Sequence, residues 1–358
     1  MNFALILAVT LAPVLTDNMV LQRDMPVPVW GTANPAEEVR VEFAGQSKST
    51  KADAAGKWLV KLDPMPASAE PRTLAVNHAP LTNVVVGDVW IAAGQSNMEW
   101  PLAKDSRAKE ELPVAQDTGF RLCNWSFAGQ YYFAKPFGKD VLEQLTPKKF
   151  YRGNWQPCTP ASAKPFSAVA YYFGKELRKA EKIPVGIINL AVGGRPAEAW
   201  IRRETLPADL PLDPWCLKRM KENLGENKAR HPFEPGFLWD AGIARLVPMA
   251  MRGVIWYQGE SNAERDWRVK QHEMLFTTLV TDWRKQFAQE FLFLFVQLPQ
   301  MDRPNWPAFR EQQARLAKAI PNVKMAVTID LPVDPKNVHP PDKQPVGQRL
   351  ARLALEPK

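Results

Sequence analysis

Cysteine and histidine are both scarce in this 358-residue chain. It has three cysteines and four histidines. Cys123, Cys158 and Cys216 are an odd number at irregular spacing, which excludes a disulfide framework and leaves room for one bridge at most. No Cys-x-x-Cys or other metal-ligand spacing occurs, so no metal or cofactor is expected. No apolar stretch is long enough to span a membrane. Like charges do not form blocks: Lys and Arg are interleaved with Asp and Glu, and the net charge of +8 reads as a mildly basic surface. No nucleic-acid motif, internal repeat or low-complexity tract is present. What is abundant is apolar and aromatic. Hydrophobic residues make up 46%, with 13 Trp, 17 Phe and 33 Pro. That composition describes a globular protein with long, stiff connections.

The most informative stretch is Gly87-Asp88-Val89-Trp90-Ile91-Ala92-Ala93-Gly94-Gln95-Ser96-Asn97-Met98-Glu99-Trp100. Val89 to Ala93 suits a buried strand, and it ends abruptly in Gly-Gln-Ser. Such an ending puts a hydroxyl at the carboxyl edge of a sheet, where open α/β sheets hold ligands. Taken alone, Gly94 to Asn97 reads first as a polar loop after a core strand. Two further buried strands end in similar turns. Val185 to Ala191 runs into Val192-Gly193-Gly194-Arg195-Pro196, and Gly253 to Tyr257 runs into Gln258-Gly259-Glu260-Ser261-Asn262. Paired glycines allow close backbone approach, and an outward N–H is a natural oxyanion donor.

Before residue 86 the pattern is all-β: Met25–Gly31, Val39–Phe43, Lys57–Leu62, Leu74–Val76 and Val84–Val86, with turns at Gly45-Gln46-Ser47 and Asp53 to Gly56. Residues 1–86 are therefore expected to form a small sandwich-like unit, and residues 87–358 an α/β unit with a mainly parallel sheet. The apolar run Phe3–Leu15 reads either as a first strand or as what remains of a secretory signal over residues 1–14. Helices are expected at 167–182, 237–249, 269–287, 306–319 and 343–355, and strands at 291–296 and 323–329. Trp100 to Pro165 is rich in aromatics and prolines (Trp125, Tyr131, Tyr132, Phe133 and Trp155 among them) and is taken as the wall of a pocket. Trp125 to Trp155, with Trp100 and Trp200, forms a candidate sugar platform.

Among the histidines, His78 lies in the β region and His231 in a charged, Pro-rich stretch. His272 is expected to be solvated on its helix. His339 alone follows a strand of the α/β part. A serine at one strand end, glycine and amide turns at two others, and a late histidine supply what acyl transfer needs.

Five blocks, in order, resemble the sialate O-acetylesterase family of SGNH-type hydrolases: Asp17–Arg23, Gly94–Met98, Gly193–Trp200, Trp256–Asn262 and His339–Leu350. The resemblance implies a three-layer α/β/α, flavodoxin-like hydrolase domain and a cofactor-free serine esterase acting on acetylated carbohydrate. It implies Ser96 as nucleophile and His339 as base. The oxyanion hole would use the N–H groups of Ser96 and Gly194 and the side chain of Gln258. Asn97, Glu99, Trp100, Arg195 and Asn262 are expected at the substrate, with Asn262 supporting its turn. Relatives place Asp two residues before the histidine, where this chain has Asn337. Glu260 and Asp334 rank equally as a displaced acid, with Asp330 a further candidate. The substrate stays open between acetylated sialic acid and acetylated plant polysaccharide such as xylan, and a catalytically weak glycan-binding protein is the alternative. With the N-terminal run open to either reading, a secreted or periplasmic protein is expected and a cytoplasmic one is the alternative.

Overall fold

The computed structural model describes residues 9–130 and 135–357. The first eight residues of the candidate signal, and Tyr131, Tyr132 and Phe133 of the aromatic stretch, lie outside them. The fold is mixed α/β, built on one strand. Ala79–Gly94 is sixteen residues long and fully buried from Val84 onward. Its first half pairs antiparallel with Ser68–Val76 and parallel with Val20–Gln22. Its second half pairs parallel with Val185–Asn189 on one side and Gly253–Tyr257 on the other. The expected boundary at residue 86 therefore falls inside a continuous strand.

Across the main sheet the order is Trp155–Cys158, Asp117–Asn124, Val185–Asn189, Ala79–Gly94, Gly253–Tyr257, Leu292–Val296 and Val323–Ala326. All neighbours are parallel except the first pair. Because side chains alternate along a strand, each strand feeds two cores. Trp90, Ala92, Ile187, Ile255 and Leu294 pack with the helices Ala168–Glu181 and Gln344–Leu355. Val89, Ile91, Ile188, Trp256 and Phe293 pack with the helix Asp266–Phe287. Trp90 meets Phe173 edge-on at 4.9 Å, and Trp256 meets Trp283 at 6.2 Å. Ser167 caps its helix by accepting from Ala170 N, and Lys182 ends it in a left-handed conformation.

The N-terminal strands form two small antiparallel arrays. Val27–Thr32 pairs with Lys57–Leu62 and with Thr10–Leu11, while Glu38–Phe43 pairs with Gln46–Lys51 and Ser68–Val76. Val39, Val41 and Phe43 share a core with Trp58, Val60 and Leu62. Where the two regions meet, Arg23 donates to both oxygens of buried Asp88, at 2.9 and 3.0 Å. Burial pushes the Asp88 carboxyl up. The Arg23 and Gln22 hydrogen bonds outweigh it and hold it below the usual carboxylate range.

The expected helix 237–249 is broken. Phe237–Ala241 is helical, and a single 3-10 turn follows at Ile243–Arg245. The expected turn at Gly45-Gln46-Ser47 already belongs to a strand from Gln46.

Candidate active site

The turn that carries Ser96 forms because the long strand can end only one way. Gly94 has φ +134°, and a Cβ there would stand 2.2 Å from the carbonyl oxygen of Tyr257. Gln95 N donates to that same oxygen, and a short helix, Ser96–Glu99, begins at once. Ser96 is thus the first residue of a helix at the carboxyl end of a central strand. Its Oγ lies 2.7 Å from Nε2 of His339, which arrives on the long loop before the last helix. Trp100 stacks on the imidazole, centroid to centroid 5.5 Å with planes 23° apart. Burial lowers the His339 pKa, and Lys343 and Lys104 lower it further, which favours the neutral ring.

Neither the N–H of Ser96 nor that of Gly194 is spent on another hydrogen bond among the described residues. Gly194 has φ +72° and lines the same cavity as Ser96. Gly193 sits closer still. A Cβ there would be 3.5 Å from Ser96 Cβ and 2.8 Å from Glu99 Oε2, and its N–H already donates to Glu99 Oε2 at 2.6 Å. Glu99 also accepts from Gln130, and burial pushes its carboxyl up.

The structure does not bring Gln258, expected to join the N–H groups of Ser96 and Gly194, to the cavity wall. Gln258 is 1% exposed, and its Nε2 donates to Asn262 Oδ1 at 2.6 Å and to Gln95 Oε1 at 3.2 Å. Both amide hydrogens are used. Their direction is set by charge: Arg268 and Glu198, both fully buried, form an ion pair at 2.7 Å, and Glu198 accepts from Asn262 Nδ2. Asn262 Oδ1 must then accept, from Ala197 N and from Gln258. Gln258 and Asn262 therefore brace the turn from behind. Asn97, expected at the substrate, is likewise fully buried, between Glu260, Val338 and Lys343.

None of the candidate acids reaches the imidazole. Glu260 accepts from Asn97, Asp334 is exposed and accepts from Lys336 N, and Asp330 pairs with Arg349. Asn337 Oδ1 accepts from the backbone N–H of His339 at 2.9 Å and so fixes the loop. Among the described residues no carboxylate bonds Nδ1 of His339.

The Ser96–His339 pair opens into a cavity of about 420 Å³. Of the residues expected at the substrate, Glu99, Trp100 and Arg195 line it. The proposed sugar platform does so only in part: Trp100 lines the cavity, as do Phe127 and Phe137 of the aromatic segment, whereas Trp125, Trp155 and Trp200 are core residues, at most 3% exposed.

A family model for carbohydrate esterases, described as sialic acid-specific acetylesterase, matches residues 86–356. The chain belongs to this family. The sialate O-acetylesterases of Mus musculus and Homo sapiens are 28% and 29% identical to it; each alignment covers 95% of this chain, and 71% and 69% of theirs. A carbohydrate acetylesterase structure from Xanthomonas citri is 34% identical. It superposes with a TM-score of 0.79, covering 97% of this chain and 74% of that one.

In this esterase the cavity wall also holds residues that no motif marked. Trp215 is 46% exposed, stands 5.5 Å from Phe233 and lies under Arg219 at 5.3 Å. Trp215 and Arg219 share one helix, Pro214–Leu224, where an aromatic and a cation four residues apart stand together. Lys104, Lys135, Arg195 and Arg219 line the cavity against one carboxylate, Glu99. His272 is corrected as well. It is 2% exposed and packs 4.3 Å from Phe309, because its helix turns that face inward.

Proposed function

We propose that this chain hydrolyses O-acetyl esters of carbohydrates through an acetyl-Ser96 intermediate, with His339 as general base and acid. The observation that carries the reading is the 2.7 Å contact between Ser96 Oγ and His339 Nε2 at the wall of an open cavity. His339 takes the Ser96 proton as Oγ attacks the acetyl carbonyl carbon. The oxyanion is met by the N–H groups of Ser96 and Gly194. The sugar hydroxyl leaves with the proton from His339, and water, deprotonated by the same ring, releases acetate. With no carboxylate on Nδ1, the reacting unit is a Ser–His dyad rather than a triad.

The sugar is acidic. Four cationic side chains line the cavity against one carboxylate; Glu222 pairs with Lys135 and Arg219 from outside the lining, and the remaining positive excess favours a sugar bearing a negative charge, such as sialic acid, over neutral xylan. The three-layer arrangement fits an SGNH-type, flavodoxin-like domain from residue 87, braced by a sandwich-like unit over 1–86. A glycan substrate favours a secreted or periplasmic location; no helix among the described residues is long and apolar enough to cross a membrane.

The test is acetate release from an aryl acetate, O-acetylated sialic acid and acetylated xylan, with the native chain and Ser96→Ala. Release by the native chain, fastest on the sialic acid ester and lost in Ser96→Ala, is expected. Undiminished release by Ser96→Ala overturns the nucleophile assignment. Glycan binding without release by either protein makes the chain a binding protein on a hydrolase fold.

A further inference from the structure

Next to Ser96, three buried polar side chains form a chain that the proposed reaction does not use. Lys343, Asn97 and Glu260 are 1%, 0% and 5% exposed. Lys343 Nζ donates to Asn97 Oδ1 at 2.5 Å, and Asn97 Nδ2 donates to Glu260 Oε1 at 2.5 Å. Nδ2 also donates to the carbonyl oxygen of Val338 at 3.0 Å. An ammonium only donates and a carboxylate only accepts, so the two charges fix which way the amide faces. The amide then grips the residue before His339 from the residue after Ser96. Both members of the reacting pair are tied to one side chain.

The loop is held from a third direction. Lys343 N donates to Asp105 Oδ2 at 2.8 Å, and Tyr172 donates to Asp105 Oδ1 at 2.9 Å. Lys343 Nζ also lies 5.4 Å from the centre of Trp100, the ring stacked on His339. We propose that Lys343 is a positioning residue of this site: through Asn97 it holds the His339 loop against Ser96, with its ammonium over the Trp100 ring that stacks on the imidazole. This rests on the reading of Ser96 and His339 as the reacting pair.

The charges around the pair have been placed by the fold. Lys343 and Lys104 act on His339 in the same direction. Glu260, Asp105 and Asp342 surround Lys343 and partly offset its burial, which pushes the ammonium down to about 7. Glu99 stands on the cavity side, bonded to Gly193 and Gln130. A second positive charge on His339 is disfavoured while Lys343 is protonated.

The experiment is an NMR titration of the histidine rings in the full chain, with His339 assigned by the signal missing from His339→Gln. The native chain is compared with Lys343→Met and with Lys343→Gln, whose amide still donates to Asn97 but carries no charge. The His339 midpoint is expected below 6.5 in the native chain, and to rise measurably in both variants. The acid limb of acetate release should move by the same amount. A native midpoint at or above 6.5, or one that stays put in a folded variant, overturns the proposal. The ring titration needs no turnover. A shifted midpoint without acetate release would therefore refute the proposed reaction and leave the role of Lys343 standing.

Discussion

At the scale of single residues, the site divides by what each side chain can still do once its partners are counted. Gln258 has spent both its amide N–H groups on Gln95 and Asn262, and Asn262 bonds Ala197 and Glu198 as well. Trp215 has spent little: it is 46% exposed at the cavity wall, with Arg219 over one ring. An exposed indole in such a place offers a flat apolar face to a pyranose ring. Trp215→Ala should raise KM for an acetylated glycan about 2- to 10-fold, the equivalent of ~0.5–1.5 kcal/mol of aromatic contact. Release from a small aryl acetate, which ends near Ser96, should stay within about twofold of native. Equal losses on both substrates would mean that Trp215 supports the wall and does not meet the sugar. Motif spacing gave no sign of this residue, because a sugar platform has no fixed partner in sequence. Ser96 and His339 were legible because each sits at the end of an apolar strand or on the loop after one. The assignment of Gln258 to the oxyanion hole failed because which way an amide faces is decided by the ion pair behind it, Arg268 with Glu198, and both of those lie far away in the chain.

At the scale of elements, strands buried on both faces were the easiest to see. Val185–Asn189, Gly253–Tyr257 and Leu292–Val296 are near-continuous apolar runs, as parallel strands covered on both faces must be. Two of the strands that escaped notice did so for opposite reasons. Gln46–Lys51 contains no apolar side chain, and Asp117–Asn124 carries Arg121 in its middle, buried at 2% exposure. The turn after Val185–Asn189 makes a sharp demand of its own. A Cβ on Gly193 would stand 2.8 Å from Glu99 Oε2 and in ordinary contact, 3.5 Å, with Ser96 Cβ. In Gly193→Ala the new Cβ must move Glu99 Oε2, and Glu99 shares a one-turn helix with Ser96. A displacement of ~1 Å at a reacting atom costs roughly 100-fold in rate. The expected outcome is that loss in kcat for aryl acetate, with the far-ultraviolet circular dichroism spectrum unchanged. A variant within about twofold of native would show that the turn yields without moving Ser96.

At the scale of the whole molecule, the long strand couples everything to one fold, so local buried charges should register in global stability. Two buried histidines other than His339 offer a clean case. His231 is 0% exposed and accepts from Phe233 N; His272 is 2% exposed against Phe309. Burial, with Arg195 near the first and Arg268 near the second, pushes both down to about 3 from 6.5. In the unfolded chain both bind protons below pH 6.5, while in the folded chain they stay neutral until about pH 3. Between those limits the unfolded state holds more protons, so stability rises with pH and is lost on acidification. Buried Glu99 and Glu260 work the other way. Burial raises both above the ordinary 4.5, so acidification from neutral pH relieves a cost they impose. The net slope mixes the two effects, and a difference between variants isolates the histidine part. The thermal midpoint of the native chain is therefore to be followed from pH 7 to pH 4 beside that of His272→Gln, which cannot titrate there. The variant's midpoint should fall less over this interval, whatever its value at pH 7. Parallel curves would mean that His272 takes up its proton in the folded chain, and that the packing around Phe309 opens to admit the charge.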